Sequence, residues 1–168
     1  MKQTGLFILL LLTCSIAHAQ IRHVKGMVGF EGKYLRSSQG SAYAFGFSKY
    51  LTSKQYLKAS VGVENGKYGK SSFSAYMLCL DYNHTAFHIK DIVFFNAVAG
   101  LATTYDKLED ETFDEYNAFQ FGLNIGTDIE IYVNDRLIIL VGANQLFDHQ
   151  DDFGKGRFFY GAGIKLSL

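Results

Sequence analysis

The stretch AFQFGLNIGTDIEI, Ala118 to Ile131, alternates along its whole length. One face carries Phe119, Phe121, Leu123, Ile125, Thr127, Ile129 and Ile131. The other carries Ala118, Gln120, Gly122, Asn124, Gly126, Asp128 and Glu130. Successive side chains on a strand point to opposite faces, so a period of two places all the large apolar groups on one side. The stretch reads as a β-strand that is greasy on one face and small or charged on the other.

The same design recurs on both sides of it. Downstream, Arg136 to Gln145 sets Leu137, Ile139, Val141 and Ala143 against Ile138, Leu140, Gly142 and Asn144, and is apolar on both faces at its start. Phe158 to Leu168 sets Phe158, Tyr160, Ala162, Ile164, Leu166 and Leu168 against Phe159, Gly161, Gly163, Lys165 and Ser167. Upstream, Ile92 to Thr104, Phe73 to Asn83, Tyr56 to Glu64, Ala42 to Tyr50 and Val24 to Leu35 alternate less cleanly but legibly. No segment in this region follows a helical period. The count is eight strands of roughly 9–13 residues in a meander, and an even number suits a single-chain bacterial barrel.

Alternation alone does not say whether the greasy face points in or out. The composition of the other face does. It holds Glu31, Lys33, Lys58, Glu64, Asp81, Asp128, Glu130 and Lys165 among many glycines. An eight-stranded barrel is just wide enough for side chains to fill. Glycine weakens a strand unless close packing requires it. Charges that pair and glycines that make room fit a narrow interior, so the greasy face is expected outside, against lipid. A soluble lipocalin-like barrel, with that face inward, is the alternative. Aromatic residues expected near strand ends are Tyr34, Tyr43, Tyr56, Phe73, Tyr82, Phe94, Phe95, Tyr105, Phe119, Tyr132, Phe158 and Tyr160, as interfacial belts would place them.

The connections give an independent indication. With the N-terminal side in the periplasm, the outer connections are Ser37–Gly40, Asn65–Ser71, Asp106–Tyr116 and Phe147–Gly156. The periplasmic ones are Thr52–Gln55, His84–Asp91 and Asn134–Asp135. The two longest lie outside, as in outer-membrane barrels, although His84–Asp91 is longer than that pattern expects.

The chain opens with Lys2, an apolar run from Leu6 to Leu12, and Ala17-His18-Ala19. That is the layout of a secretory signal peptide, residues 1–19, cleaved before Gln20 to leave a barrel domain of residues 20–168. The apolar run is too short to span a membrane as a helix. Thr13 before Cys14 is bulkier than the residue a lipoprotein signal places there. The exported part keeps one cysteine, Cys79, so it has no internal disulfide. There is no proline, as uninterrupted ladders require. Net charge is +0, which gives no electrostatic reason to bind nucleic acid. Mean hydropathy is +0.04, the value expected when each apolar residue has a polar neighbour.

Little chemistry is suggested by the residues. Asp106, Glu109, Asp110, Glu111, Asp114 and Glu115 make an acidic loop, Asp106–Glu115, and Asp148, His149, Asp151 and Asp152 make another, Asp148–Asp152. Carboxylates suit hard cations, but neither loop has the twelve-residue calcium pattern, and a solvated loop is the better reading. His84 and His88 are expected in a turn, where a spacing of four does not favour a metal. Cys79 reads as a small filler of the inner face. His149 with Asp148 or Asp151 is the one rim cluster that a lipid hydrolase could use, but no serine elbow accompanies it. The expectation is a protein with no catalytic, cofactor-binding or metal-binding residues and no cofactor.

Residues Phe121 to Val141, FGLNIGTDIEIYVNDRLIILV, contain a strand, a tight turn and a strand around Glu130-Ile131-Tyr132-Val133-Asn134-Asp135-Arg136-Leu137. This stretch resembles the conjugal transfer protein TraO family of conjugative transposons, and Phe159-Tyr160-Gly161-Ala162-Gly163-Ile164-Lys165 is similar to that family's last strand. The resemblance implies an outer-membrane component of a type IV secretion-like conjugation apparatus. Its partners would be outer-membrane lipid and other apparatus proteins, and its role in DNA transfer between cells would be structural or docking. The alternative is a general small outer-membrane barrel that binds a surface partner through its loops.

Overall fold

Eight runs of alternating residues become eight strands: β1 (Val28–Arg36), β2 (Gly40–Tyr50), β3 (Gln55–Tyr68), β4 (Ser71–Ile89), β5 (Val93–Glu109), β6 (Tyr116–Tyr132), β7 (Leu137–Asp148) and β8 (Arg157–Ser167). The computed structural model describes residues 23–68, 71–109, 116–148 and 156–168, and no helix occurs among them. Each strand pairs antiparallel with the next, and β1 pairs with β8, so the sheet closes into an up-and-down barrel. Closure leaves no free sheet edge, the condition for a β-structure to cross lipid. The expected signal peptide, residues 1–19, lies outside the described residues.

The greasy face points outward. Phe45 and Phe119 are each 66% exposed, and Leu57, Val61, Leu80, Leu101, Leu123, Ile139 and Ile164 are exposed beside them. Glu64 and Glu130, on the opposite face, are completely buried. A lipocalin-like barrel requires the reverse arrangement, so the soluble alternative does not match these strands.

Several strands outrun their expected limits. β4 has 19 residues and β5 and β6 have 17 each, so all three extend beyond one edge of the shorter β7 or β3. One result is that His84 and His88 lie in β4, not in a turn. The connection there is only residues 90–92. Lys90 and Asp91 have φ of 49° and 51°, and the Ile92 N–H donates to the Ile89 carbonyl at 3.0 Å. Positive φ at both central positions is the hairpin turn whose twist matches the flanking strands. All three connections at this end of the barrel are therefore tight, and we refer to it as the turn end. At the β6–β7 turn the Asn134 side-chain oxygen accepts from the Arg136 and Leu137 N–H groups at 2.9 and 2.8 Å. The other end, the loop end, is where β1 leads to β2, β3 to β4, β5 to β6 and β7 to β8.

Four of the aromatics expected in outer belts face inward instead. Tyr56, Phe73, Phe94 and Tyr132 are all buried. Their parity already assigns them there: Tyr56 shares a face with Lys58, Phe73 with Asp81, Phe94 with Asn96 and Tyr132 with Glu130. Large rings near both mouths fill space that glycines leave open deeper in.

Candidate functional site

The interior is stacked in layers along the barrel axis. Nearest the turn end, Phe94, Tyr132, Ile138 and Leu140 form an apolar cluster, which accounts for the double-sided greasiness of early β7. His23, from the segment before β1, is buried against this cluster and stacks on Phe94 with ring centroids 3.9 Å apart.

Glu130 is the hub of the next layer. Its Oε1 accepts from Lys165 Nζ and Tyr56 Oη, each at 2.9 Å. Its Oε2 accepts from Tyr50 Oη at 2.9 Å and lies 2.9 Å from His23 Nε2. Lys165 also donates to Tyr50 Oη at 2.9 Å and sits 4.4 Å from the Tyr56 ring centroid. A buried carboxylate is tolerable only when paired and fully hydrogen-bonded, and this one has a donor on every side. The hub joins β2, β3, β6, β8 and the segment before β1.

The middle layer is ionic. Lys33 Nζ lies 2.7 Å from Asp128 Oδ2. Lys58 Nζ lies 3.1 Å from the same oxygen, 3.5 Å from Asp81 Oδ2 and 3.7 Å from Glu31 Oε1. Asn124 donates to Asp81 at 2.7 Å. Glycine stands directly across the ladder from four of these charges, in the pairs Glu31–Gly46, Lys33–Gly163, Asp81–Gly100 and Asp128–Gly142. A Cβ on Gly142 would stand 2.1 Å from Asp128 Oδ1, and one on Gly100 would stand 2.4 Å from Asp81 Oδ1. Each glycine is the space into which its neighbour's side chain folds.

An apolar layer follows: Ala42, Ala102, Leu146 and Phe159, with Leu35, Met77 and Cys79 packed against it. Cys79 thus has the filler position its parity suggests. Between this layer and the ionic one lies a cavity of about 60 Å3, room for only a few water molecules. Near the loop end Arg157 closes the stack, with Nη1 3.3 Å from Glu64 and 3.1 Å from Asp106, while Ser37 donates to Glu64. Asp106, expected in the acidic loop Asp106–Glu115, is instead an inward residue of β5 paired across the barrel. Glu109, expected in the same loop, is the last residue of β5, and residues 110–115 lie outside the described residues. In the second loop Asp148 ends β7, and His149, Asp151 and Asp152 lie outside the described residues, so the rim cluster has no described geometry. His88 Nδ1 is 3.0 Å from Asp91, at the exposed turn end. Among the described residues no group of three or more His, Cys, Asp or Glu side chains is arranged to hold a metal ion.

The outer face is organised by register. Tyr34 pairs with Tyr43, Tyr43 with Val63, Val63 with Tyr76, Tyr76 with Tyr105 and Tyr105 with Phe119. This is a nearly continuous aromatic row across β1 to β6 at the loop-end margin of the apolar belt. Sequence reasoning found many of these rings. It missed His23, Tyr50 and Arg157, because the chain spacing gives no signal that they meet Glu130 or Glu64 across the barrel.

No protein-family model matches the chain, and no curated protein matches it. Solved structures do. The N-terminal β-barrel domain of Pseudomonas aeruginosa OprF is similar with a TM-score of 0.67 at 16% identity, over 86% of this chain and 98% of that one. Neisserial surface protein A gives 0.68 at 12% identity, over 84% and 96%. The outer membrane protein OprG from Pseudomonas aeruginosa gives 0.65 at 10%, over 89% and 99%. At such identities the likeness is one of fold, the closed eight-stranded barrel.

Proposed function

We propose that this chain is a closed, non-conducting barrel of the bacterial outer membrane that works through its rims, as a structural or docking component. The apolar belt and the fold shared with small outer-membrane barrels support the membrane assignment. With the turn end in the periplasm, the tight connections take the side that such barrels reserve for short turns. The observation that carries the functional reading is the filled interior. Layers of side chains and paired charges occupy the barrel, with a cavity of about 60 Å3 between the ionic and apolar layers and one of about 140 Å3 beside His23 and Phe94 at the turn end, separated by the Glu130 and Phe94 layers. What remains to meet partners is the two rims and the lipid-facing wall. Neither catalysis nor a cofactor enters this reading.

Two measurements test it. Cell fractionation with a heat-modifiability gel is expected to give an outer-membrane protein whose mobility shifts on boiling. Recovery as a soluble periplasmic protein would refute the membrane assignment. In a planar bilayer the purified barrel is expected to give no steady conductance, and a stable open level would overturn the sealed interior.

A second reading makes the barrel a component of a conjugative transfer apparatus, anchoring other transfer proteins. It rests on the resemblance of residues 121–141 and 159–165 to the TraO family. The resembling residues include Glu130, the interior hub, and Asn134, the turn cap, so the likeness falls on scaffold positions. Even in that role DNA would not pass through this chain, because its interior only just holds side chains. Deleting the chain from a DNA-transferring cell is the test: a fall in transfer frequency with an intact envelope supports this reading, and an unchanged frequency refutes it.

A further inference from the structure

At the outward-facing strand positions whose side chains are described, Lys and Arg occur and no Asp or Glu; Glu109, the last residue of β5, has the parity of Lys107. All six acidic residues that the strands bury, Glu31, Glu64, Asp81, Asp106, Asp128 and Glu130, point inward. Three of the outward cations, Arg36, Lys67 and Lys107, are exposed at the loop end, on β1, β3 and β5. Register joins them into a surface. Arg36 pairs with Ser41, Ser41 with Asn65, Asn65 with Ser74, and Ser74 with Lys107. Lys67 stands one step further from the membrane on β3, in register with Ser72 of β4 and, through it, with Glu109 of β5. This polar row lies two residues beyond the tyrosine row, immediately past the margin of the apolar belt.

We propose that this row is a docking surface for the anionic, phosphate-bearing headgroup of a lipid in the surrounding leaflet. The inference rests on the membrane reading above and adds a specific lipid contact to it. Three observations carry it. The first is depth: interfacial aromatics mark headgroup level, and the row begins where they end. The second is chemistry, since guanidinium and ammonium groups donate to phosphate oxygens, and the hydroxyls and amide between them supply further donors. The third is anchoring from below. Arg36 Nη1 donates to Tyr34 Oη at 3.4 Å, and Lys107 Nζ lies 5.8 Å from the Tyr105 ring centroid. Both cationic heads are thus held against the aromatic row at the lipid boundary. The wall from β7 to β8 has no such row; its outward loop-end residues are Gln145, Phe147, Phe158 and Tyr160.

The test is folding of the full chain into phosphatidylcholine vesicles with and without phosphatidylglycerol, read as the boiling temperature at which the folded gel band is lost. The anionic lipid is expected to raise that temperature at low salt, and high salt to remove the gain. The triple variant R36Q/K67Q/K107Q is expected to lose most of the gain, at about fivefold in headgroup affinity per cation. K49Q/K54Q/K90Q, which removes cations at the turn end, is expected to keep it. Retention of the full gain by the loop-end variant, or its loss only in the turn-end variant, overturns the proposal while leaving the membrane barrel intact. Failure of the wild-type chain to give a folded band in either vesicle overturns both.

Discussion

The inner and outer faces of the barrel are made by the same eight strands, yet they are chemical opposites. The inner face holds six carboxylates and four cations, with glycines opposite the middle charges. The outer face is aliphatic and aromatic between two polar margins, and its membrane-facing belt carries no described carboxylate. Adjacent residues in one strand therefore differ completely in what they tolerate. Leu101 faces outward and is 48% exposed, whereas its neighbour Gly100 gives way to Asp81. In a soluble protein the charged face would meet water and each ion could act alone. Here the charges are enclosed, so each survives only through its partners. Stability on the inside is a property of networks, and on the outside it is a property of single side chains at a given depth.

That contrast can be broken most forcefully at the hub. Glu130→Ala is expected to destabilise the folded barrel by about 3–5 kcal/mol, because Lys165 would remain buried and unpaired. The double variant E130A/K165M is expected to be less destabilised than the sum of the two single changes. Urea unfolding of the vesicle-inserted protein measures both, and simple additivity would mean that the pair is not coupled. On the outer face the comparable insult needs no partner. Leu101→Arg is expected to cost about 2–4 kcal/mol, falling towards zero for the same change near a margin. A flat response along the belt in the same assay would contradict a lipid-facing wall. Gly142→Ala sharpens the role of the inner glycines. It is expected to cost about 1–3 kcal/mol by crowding Asp128, while Gly32→Ala, outward and uncrowded, costs less. Equal effects would remove the argument from close approach. The smallest effect belongs to the turns that join the faces: Asn134→Ala is expected to cost about 0.5–1.5 kcal/mol through loss of two hydrogen bonds to the turn backbone. The boil-gel transition resolves it by comparison with wild type.

The fold is largely legible in the sequence. The eight strands, their order and the division of residues between faces follow from a period of two, and the inner glycines follow from the need for space in a narrow barrel. Two errors have a common cause. Residue type places Tyr56, Phe73, Phe94 and Tyr132 in the outer belts, whereas their parity assigns them inward. The polar side chains of Asp106, His84 and His88 suggest loops, whereas β4 and β5 continue through them. Residue type reports an environment, but on a strand the parity decides which of two environments a residue meets.

The sequence by itself determined the alternation, the strand number, the tight Asn134 turn and the presence of paired charge inside, because each depends on residues near one another in the chain. Only the tertiary structure decided which charges meet. Glu130 of β6 finds Lys165 of β8, Tyr50 of β2, Tyr56 of β3 and His23, and Arg157 of β8 finds Glu64 of β3 and Asp106 of β5. Apart from His23, each partner lies across the barrel on a strand that does not pair with that of the residue it meets, so their meeting depends on closure, tilt and register. No local spacing records those quantities. The cationic row outside has the same origin: Arg36, Lys67 and Lys107 are remote in sequence and become one surface only when the ladders align them.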